Sequence, residues 1–163
     1  KTISIPYYTS TLDLHVDEAN LKAVVTQNAE YKAGKTEVEL VHEALEHPIA
    51  PALRDLAKGK QKVVLVTSDH TRAVPSKITL PILLDEIAGN PGADITILIA
   101  TGLHRPTTEE EQRRMFGDAI VDHEKIAINN AFDPDQFIHM GVLLGADFNV
   151  NKLAAECDLL VTE

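Results

Sequence analysis

The feature that most constrains the fold is a strand–loop–helix pattern that occurs twice in the middle of the chain. The first copy, VVLVTSDHTRAVPSK at 63–77, opens with an apolar, β-branched run typical of a strand covered on both faces. The second copy is DITILIA at 94–100, followed by TGLHRPTTEEEQ. Buried strands that alternate with helices indicate a mostly parallel sheet. Ligands bind beyond the carboxyl ends of such strands, so we expect both loops to face one cleft.

Local patterns predict the elements on the amino-terminal side of these strands. KTISIPYY and TLDLHV alternate in places with period two and predict a hairpin with its turn in TSTLD, and DEANLKAVVTQNAEY at 17–31 favours a short helix. A T-x-x-E capping box at Thr36 and Glu39 predicts the start of the next helix, and PALRDLAKG predicts another.

Caps also mark the helices that follow the two buried strands. Ser76 is a good N-cap for a helix that runs to Ala88, with Pro81 near its first turn, where a missing N–H costs little. The T-x-x-E pattern occurs again at Thr107 and at Thr108, and either residue could cap the helix in TTEEEQRRMF.

The rest of the chain reads as short strands and turns, among them IAIN and a hairpin of FIHMGVLL and DFNV. NKLAAE then predicts a short helix that leads into a third buried strand, CDLLVT. The predicted fold is α/β: a Rossmann-like, mostly parallel sheet flanked by helices, with a few short extra strands. No linker divides the sequence, so we expect a single α/β domain over residues 1–163.

Charge and composition limit the partners of such a domain. The chain is 44% hydrophobic and 25% charged, as globular proteins are, with a formal net charge of −10 and 4% aromatic residues. An acidic chain with few aromatic rings is unsuited to nucleic acid, and it disfavours an anionic membrane surface. No apolar run approaches the ~18 residues of a membrane span.

Cysteine usage and the two ends of the chain bear on compartment and completeness. Cys157 is the single cysteine, which excludes an internal disulfide, and its setting in AAECDLLVTE suits a small core residue. No signal peptide is visible, so we expect a cytoplasmic protein. The chain lacks an initiator Met and stops after CDLLVTE, so we expect a fragment of a longer protein.

The loop after the first strand, SDHTR, carries the first candidate site residues. Arg72 presents a planar guanidinium that can hold a carboxylate through two hydrogen bonds. Asp69 can orient that arginine or accept a substrate hydroxyl, whereas the simpler interpretation is a structural Asp–Arg pair that pins the loop. An extended segment turns His70 away from Asp69, which makes His70 a supporting residue.

The loop after the second strand, TGLHRP, offers a group for proton transfer. His104 supplies an imidazole, the type of side chain that suits proton transfer near neutral pH, and Gly102 allows close approach of a ligand to the backbone. The simpler interpretation is an exposed loop histidine. We infer that His123, in a charged junction, and His139, on a predicted strand, are structural or solvent-facing. The sequence contains no G-x-G-x-x-G motif, Walker loop or cysteine metal-site spacing, so an ordinary NAD or ATP site is not expected.

Together, TSDHTRAVPSK, ATGLHRPTTEEE and NKLAAECDLLVTE resemble the N-terminal domain of the nickel-pincer-dependent lactate racemase family, over essentially the whole chain. The resemblance implies a two-domain α/β isomerase that interconverts D- and L-2-hydroxy acids. The implied cofactor is a nickel-pincer nucleotide tethered to a lysine, and the implied reaction is hydride transfer from C2 through a keto acid. The implied partners are a small 2-hydroxy carboxylate substrate and the C-terminal domain of the same chain.

The resemblance also assigns roles to individual residues of this sequence. Arg72 resembles the arginine that anchors the substrate carboxylate, and Asp69 resembles the neighbouring acid of a D-x-T-R pattern and is assigned to substrate binding. His104 resembles one of two catalytic acid–base histidines. Thr71 and Ser68 are assigned to contacts with the cofactor.

Some parts of the implied site are expected outside this sequence. The second histidine, the tethering lysine and the nickel-binding histidine are expected beyond Glu163, so no metal ligand is assigned here and the fragment alone is expected to be inactive. Two alternatives stay open. One is a non-catalytic module that binds a small carboxylate or phosphate through Arg72, and the other is a metal-dependent hydrolase that uses Asp69, His70 and His104.

Overall fold

The computed structural model describes residues 1–25 and 32–163. Contacts within the chain divide it into two compact units, Lys1–Gly34 and Lys35–Glu163. The single domain expected over residues 1–163 stays a prediction.

The first unit is built on an antiparallel hairpin. Strand β1 (Thr2–Tyr7) pairs with strand β2 (Ser10–His15), as the alternating pattern predicts. The turn falls at residues 8–9, slightly before the predicted position, and Tyr8 takes a left-handed conformation with φ 53°.

The helix predicted over 17–31 is wrong for the part of that range that the structure describes. A single 3-10 turn forms at Glu18–Asn20, where the Asp17 carboxylate accepts a hydrogen bond from the Ala19 N–H. Val24 and Val25 are exposed, so this stretch buries no apolar face that would stabilise a longer helix. Residues 26–31 of the prediction lie outside the described residues.

The second unit contains the predicted alternation of buried strands and helices. No helix in the two described ranges is long and apolar enough to cross a bilayer. The elements of this unit, besides a 3-10 turn at Pro134–Gln136, are in chain order α1 (Glu37–Glu46), α2 (Leu53–Ala57), β3 (Lys62–Ser68), α3 (Ser76–Ala88), β4 (Asp94–Ala100), α4 (Glu109–Phe116), α5 (Asp118–His123), β5 (Lys125–Ile128), β6 (Phe137–Leu143), β7 (Ala146–Asn151), α6 (Lys152–Ala155) and β8 (Leu159–Thr162).

Four parallel strands form the central sheet in the order β5-β4-β3-β8, which confirms the predicted Rossmann-like α/β fold. The chain runs from β3 outward to β4 and β5, then returns to place β8 on the other side of β3. The strand order therefore reverses between β3 and β8, which is where open α/β sheets bind ligands. The added hairpin of β6 and β7 is antiparallel, as its sequence predicts.

The core lies between the sheet and the helices that cover it. Alternate residues of β3 and β4 point to one face of the sheet and are fully buried. They pack against apolar side chains of α2, α3, α4 and α5. The buried cluster consists of Ala57, Val63, Leu65, Leu80, Leu84, Ile87, Ile97, Ile99, Phe116 and Ile120.

Helix α3 covers the predicted range but begins differently from the prediction. Ser76 is its first residue, and Pro75 takes the N-cap position without a side-chain hydrogen bond. The Ser76 hydroxyl instead donates to the Glu163 carboxylate at 2.9 Å. Pro81 lies beyond the first turn, so its missing N–H leaves the Lys77 carbonyl without the usual helical donor.

Two further helices show what local patterns detect and what they miss. The capping box of α4 is confirmed and belongs to Thr108 and Glu111 rather than to Thr107. Helix α5 begins two residues after α4 ends, in a segment for which the sequence predicted strands and turns. It has six residues and buries only Ile120, so no helical period is visible in its sequence.

Candidate active site

The loops after β3 and β4 lie side by side at the carboxyl edge of the sheet. The last residues of the two strands, Ser68 and Ala100, are partners in the parallel register. The side chains that follow meet across this edge, where His104 Nδ1 lies 2.6 Å from Asp69 Oδ2. The two loops therefore meet at one edge of the sheet, as the sequence predicts.

Asp69 is the most constrained of the predicted site residues. Its side chain is 2% exposed, and Oδ1 accepts hydrogen bonds from the Thr71 N–H at 3.0 Å and the Thr71 hydroxyl at 2.6 Å. Burial raises the pKa of this carboxyl, but the hydrogen bonds from Thr71 and His104 outweigh it and lower the pKa to about 2. Asp69 is therefore ionised at neutral pH.

The charge of Asp69 fixes the protonation pattern of His104. An ionised carboxylate accepts and cannot donate, so the proton between the two side chains belongs to His104 Nδ1. The other ring nitrogen, Nε2, makes no hydrogen bond within residues 1–25 and 32–163, and the side chain is 51% exposed. An imidazole held on one side by a carboxylate and open on the other can exchange a proton with a ligand.

Arg72 lies on the same loop, but it does not pair with Asp69 through its side chain. Only the backbones are joined, where the Arg72 N–H donates to the Asp69 carbonyl at 3.1 Å. The interpretation of a structural Asp–Arg pair is therefore wrong, because the carboxylate oxygens are engaged by Thr71 and His104. Within the described part of the chain the exposed guanidinium forms no ion pair, so it is available to an anion.

A second cation of this edge, Arg105, is fully engaged. Its guanidinium donates to both carboxylate oxygens of Glu111, at 2.6 and 2.8 Å. His70 packs on the same carboxylate, with Nδ1 at 3.8 Å from Glu111 and 3.3 Å from the Thr107 hydroxyl. His70 thus lies away from Asp69, as the sequence suggested. Sequence reasoning assigned Glu111 only a capping role, because nothing in a T-x-x-E pattern reveals an arginine partner.

The residues assigned to the cofactor differ in what their hydroxyls contact. The Thr71 hydroxyl is committed to Asp69 and also lies 3.5 Å from His104 Nδ1. The half-buried Ser68 hydroxyl makes no hydrogen bond with any described residue. In the ranges that the structure describes, no group of three His, Cys, Asp or Glu side chains could hold a metal ion.

A cluster of polar side chains beside the candidate site was not predicted from the sequence. Glu163, just past β8, accepts hydrogen bonds from the hydroxyls of Thr67 at 2.6 Å, Ser76 at 2.9 Å and Thr79. It joins the ends of β3 and β8 to the first turn of α3. No local signal could have found a contact between residues 96 positions apart.

Solved structures place this fold among known proteins. The lactate racemase apoprotein of Thermoanaerobacterium thermosaccharolyticum superposes with a TM-score of 0.88 at 41% sequence identity, covering 99% of this chain and 38% of that one. A Thermotoga maritima protein superposes with a TM-score of 0.61 at 20% identity, over 77% of this chain and 32% of that one. The second likeness shows the fold alone.

Sequence comparison agrees with the structural likeness. The chain is 43% identical over 165 residues to the lactate racemase of T. thermosaccharolyticum and 41% identical to that of Lactiplantibacillus plantarum. Each match covers 99% of this chain and 39% of the relative, so the chain spans about two fifths of their length. The model of the lactate racemase N-terminal domain matches residues 7–163. The chain belongs to the lactate racemase N-terminal domain family.

Proposed function

We propose that this chain forms the N-terminal part of a nickel-pincer-nucleotide-dependent 2-hydroxy-acid racemase or epimerase, with lactate as the default substrate. Membership of the family supports the isomerase class. The observation that carries the proposal is the contact of 2.6 Å between His104 and Asp69 at the ends of adjacent parallel strands. The single, half-buried cysteine supports the proposed cytoplasmic location.

The proposed roles follow from the contacts of each side chain. Oxidation of a 2-hydroxy acid removes a hydride from C2 and a proton from the hydroxyl, and His104 Nε2 accepts that proton. Asp69 keeps the ring in the orientation and tautomer that this step needs, and it balances the imidazolium that forms. Asp69 therefore acts on the substrate hydroxyl through His104. Arg72, whose guanidinium is unpaired within the described residues, holds the substrate carboxylate.

The residues present fit one part of a cofactor site. The Ser68 hydroxyl lies where the strand order reverses between β3 and β8 and has no partner among the described residues, so it suits a polar contact with the nucleotide. The Thr71 hydroxyl fits less well, because its proton goes to Asp69. The chemistry that a bound nickel-pincer nucleotide supplies is acceptance and return of the C2 hydride. Its tether and nickel ligand are proposed to lie outside this chain.

Racemisation requires proton exchange with the hydroxyl of both enantiomers, and the described part of the chain offers one suitably placed histidine, His104. His139 bonds to Asn149 on the β6–β7 hairpin, and His123 is exposed at the end of α5. We therefore propose that the second base comes from the rest of the enzyme and that the 163-residue chain alone does not racemise 2-hydroxy acids.

A chimeric enzyme tests the proposal directly. The matching N-terminal region of the T. thermosaccharolyticum lactate racemase is replaced by residues 1–163, and the chimera is produced together with the cofactor-synthesis enzymes. Loss of optical rotation of a single lactate enantiomer is followed, after nickel content is confirmed. We expect racemisation, and we expect His104→Ala to reduce it by about 10²–10⁴-fold, as for loss of a general base.

Matched control variants separate specific effects from general damage. His123→Ala removes an exposed histidine outside the site, and Arg114→Ala removes an exposed arginine without an ion pair among the described residues. Both should racemise normally, whereas Arg72→Ala should raise KM strongly. A nickel-loaded chimera that inverts neither lactate nor other 2-hydroxy acids would refute the racemase proposal.

The guanidinium of Arg72, which forms no ion pair with residues 1–25 or 32–163, favours one alternative, a module that binds a small anion without catalysis. Calorimetric titration of the chain with lactate would then show binding that depends on Arg72 and not on His104. The hydrolase alternative is less well supported, because His70 contacts Thr107 and Glu111 rather than joining Asp69 and His104.

A further inference from the structure

The Glu111 carboxylate is a junction between the two loops of the candidate site. Its two oxygens accept three hydrogen bonds, two from the Arg105 guanidinium and one from the Thr108 N–H at 2.9 Å. The side chain is 15% exposed, although it lies in the first turn of a helix that presents other acidic residues to solvent. A carboxylate so enclosed and so fully paired is held in one position.

Two of the residues that contact this carboxylate, Arg105 and His70, are the chain neighbours of the proposed acid–base pair. Arg105 follows His104 directly, and His70 follows Asp69 directly. His70 closes the junction from the other loop, at 3.8 Å from the Glu111 carboxylate and 3.3 Å from the buried Thr107. Glu111 therefore contacts both loops at the residue after each member of the Asp69–His104 pair.

The Asp69–His104 contact needs such support because one partner is poorly fixed. Asp69 is buried and bound by Thr71, but the His104 side chain is half exposed. The His104 backbone is held in a turn by one hydrogen bond, from its N–H to the Thr101 carbonyl at 3.0 Å. Besides Asp69, its ring has only a contact of 3.5 Å with the Thr71 hydroxyl within the described residues. The position of the ring consequently depends on the backbone at His104 and Arg105, which the Arg105–Glu111 pair restrains.

Arg105 and Glu111 both carry their charges near neutral pH. The hydrogen bonds from Arg105 and from the Thr108 backbone hold the pKa of Glu111 well below its usual range. The Glu111 carboxylate raises the pKa of Arg105 in turn. Both groups stay ionised near neutral pH, so their ion pair does not depend on pH in that range.

We propose that Glu111 is a positioning residue of the site, which holds His104 against Asp69 by clamping Arg105. The same clamp keeps the Arg105 guanidinium occupied, so Arg72 is left as the cation that meets an anionic ligand. This inference concerns the geometry of His104 and rests on the proposed function only for its catalytic consequence.

The imidazole nitrogen signals of His104 report this geometry without any assay of activity. In the 15N-labelled 163-residue chain at about pH 8, above the ordinary histidine pKa of about 6.5, we expect His104 to carry its proton on Nδ1. Glu111→Gln retains an acceptor for the Thr108 N–H but loses the charge that clamps Arg105. We expect this variant and Arg105→Ala each to shift His104 toward a mixture of both tautomers.

A double-mutant cycle tests whether Glu111 acts through Arg105. If it does, the double variant Glu111→Gln/Arg105→Ala shifts the His104 signals no further than either single variant. Glu110→Gln is the matched control, because Glu110 lies in the same helical turn, is exposed and has no partner among the described residues. It should leave the His104 signals unchanged.

Two outcomes would overturn the proposal. In the first, Glu111→Gln lowers the melting temperature while the His104 signals stay as in the unchanged chain, which would reduce Glu111 to a helix cap. In the second, Glu111→Gln shifts the signals but Arg105→Ala does not. Neither result depends on racemase activity, so failure here is distinct from failure of the proposed function.

Discussion

The ionisation of one buried carboxylate sets the chemistry of the candidate site. Asp69 accepts two hydrogen bonds from Thr71 and one from His104, and these contacts stabilise its charged form in the folded state. His104 is thereby left with its proton on Nδ1, and its Nε2 lone pair, which has no partner among the described residues, can accept a proton from a ligand. The sequence indicated both residues, but it did not indicate that Asp69 pairs with a histidine 35 positions away rather than with Arg72.

The depressed pKa of Asp69 makes its contribution to stability dependent on pH. The folded-state pKa is lowered from 3.8 to about 2, so the stabilisation is complete above about pH 4 and is lost as the pH falls through about 2. We expect Asp69→Asn to lower the free energy of unfolding by up to about 2 kcal/mol at neutral pH. In urea titrations at a series of pH values, the difference in free energy of unfolding between Asp69→Asn and the wild-type chain should shrink as the pH falls from about 4 to about 2. A difference independent of pH would contradict this account.

At the scale of secondary-structure elements, short sequence patterns predicted the features that depend on interactions between near neighbours in the chain. Two capping boxes and the buried strands β3 and β4 followed from short-range patterns, because a cap and a β-branched apolar run leave a mark within a few residues. The strand predicted in CDLLVT forms as β8, but the prediction that it is buried is wrong, because its residues are exposed or only half-buried at the edge of the sheet. Ser76 shows where prediction from short-range patterns fails. It has the right chemistry for an N-cap, but its hydroxyl bonds to Glu163, 87 positions away, which no local pattern reveals.

Helix α3 contains a residue that its own geometry disfavours. Pro81 is exposed, lies beyond the first turn and leaves the Lys77 carbonyl without a helical partner. Proline in a helix interior costs about 3 kcal/mol relative to alanine, and roughly 1 kcal/mol of this is offset because proline also restricts the unfolded chain. We therefore expect Pro81→Ala to raise the free energy of unfolding by about 1–2 kcal/mol in urea titration. A lower stability would show that the ring makes a contact that outweighs the lost hydrogen bond.

The hydroxyl cluster around Glu163 joins β3, β8 and α3, and we expect it to contribute to the stability of the fold. Thr67 is 1% exposed and donates to the Glu163 carboxylate at 2.6 Å. A hydrogen bond to a charged group contributes about 1.5–3 kcal/mol, so Thr67→Val should lower the free energy of unfolding by about that amount. Thr96→Val is the control, because Thr96 is buried in the adjacent strand and its hydroxyl has no side-chain partner among the described residues. Equal losses in both variants would contradict the argument.

At the scale of the whole molecule, the sheet order explains why the candidate site lies where it does. Parallel strands bring all their carboxyl ends to one edge, and the register that pairs Ser68 with Ala100 sets the two loops side by side. Alternation of strands and helices was enough to predict that edge. It was not enough to identify the partners of Glu163, which lie 84 to 96 positions away. Nor did it indicate the contact of Glu111 with His70, because the two residues belong to different loops.

The path of the substrate hydrogen tests the proposed reaction as a whole. In the proposed reaction, transfer of hydride from C2 and its return to the other face would keep that hydrogen within the enzyme, whereas the hydroxyl proton would pass to His104. In the active chimera, lactate deuterated at C2 should therefore invert with its deuterium retained, and more slowly than unlabelled lactate. Racemisation by abstraction of a C2 proton would instead exchange the label with water as the base equilibrates with solvent. Mass spectrometry of the inverted enantiomer distinguishes the two, and loss of deuterium from that product would exclude hydride transfer while leaving His104 and Asp69 available as a proton-transfer pair.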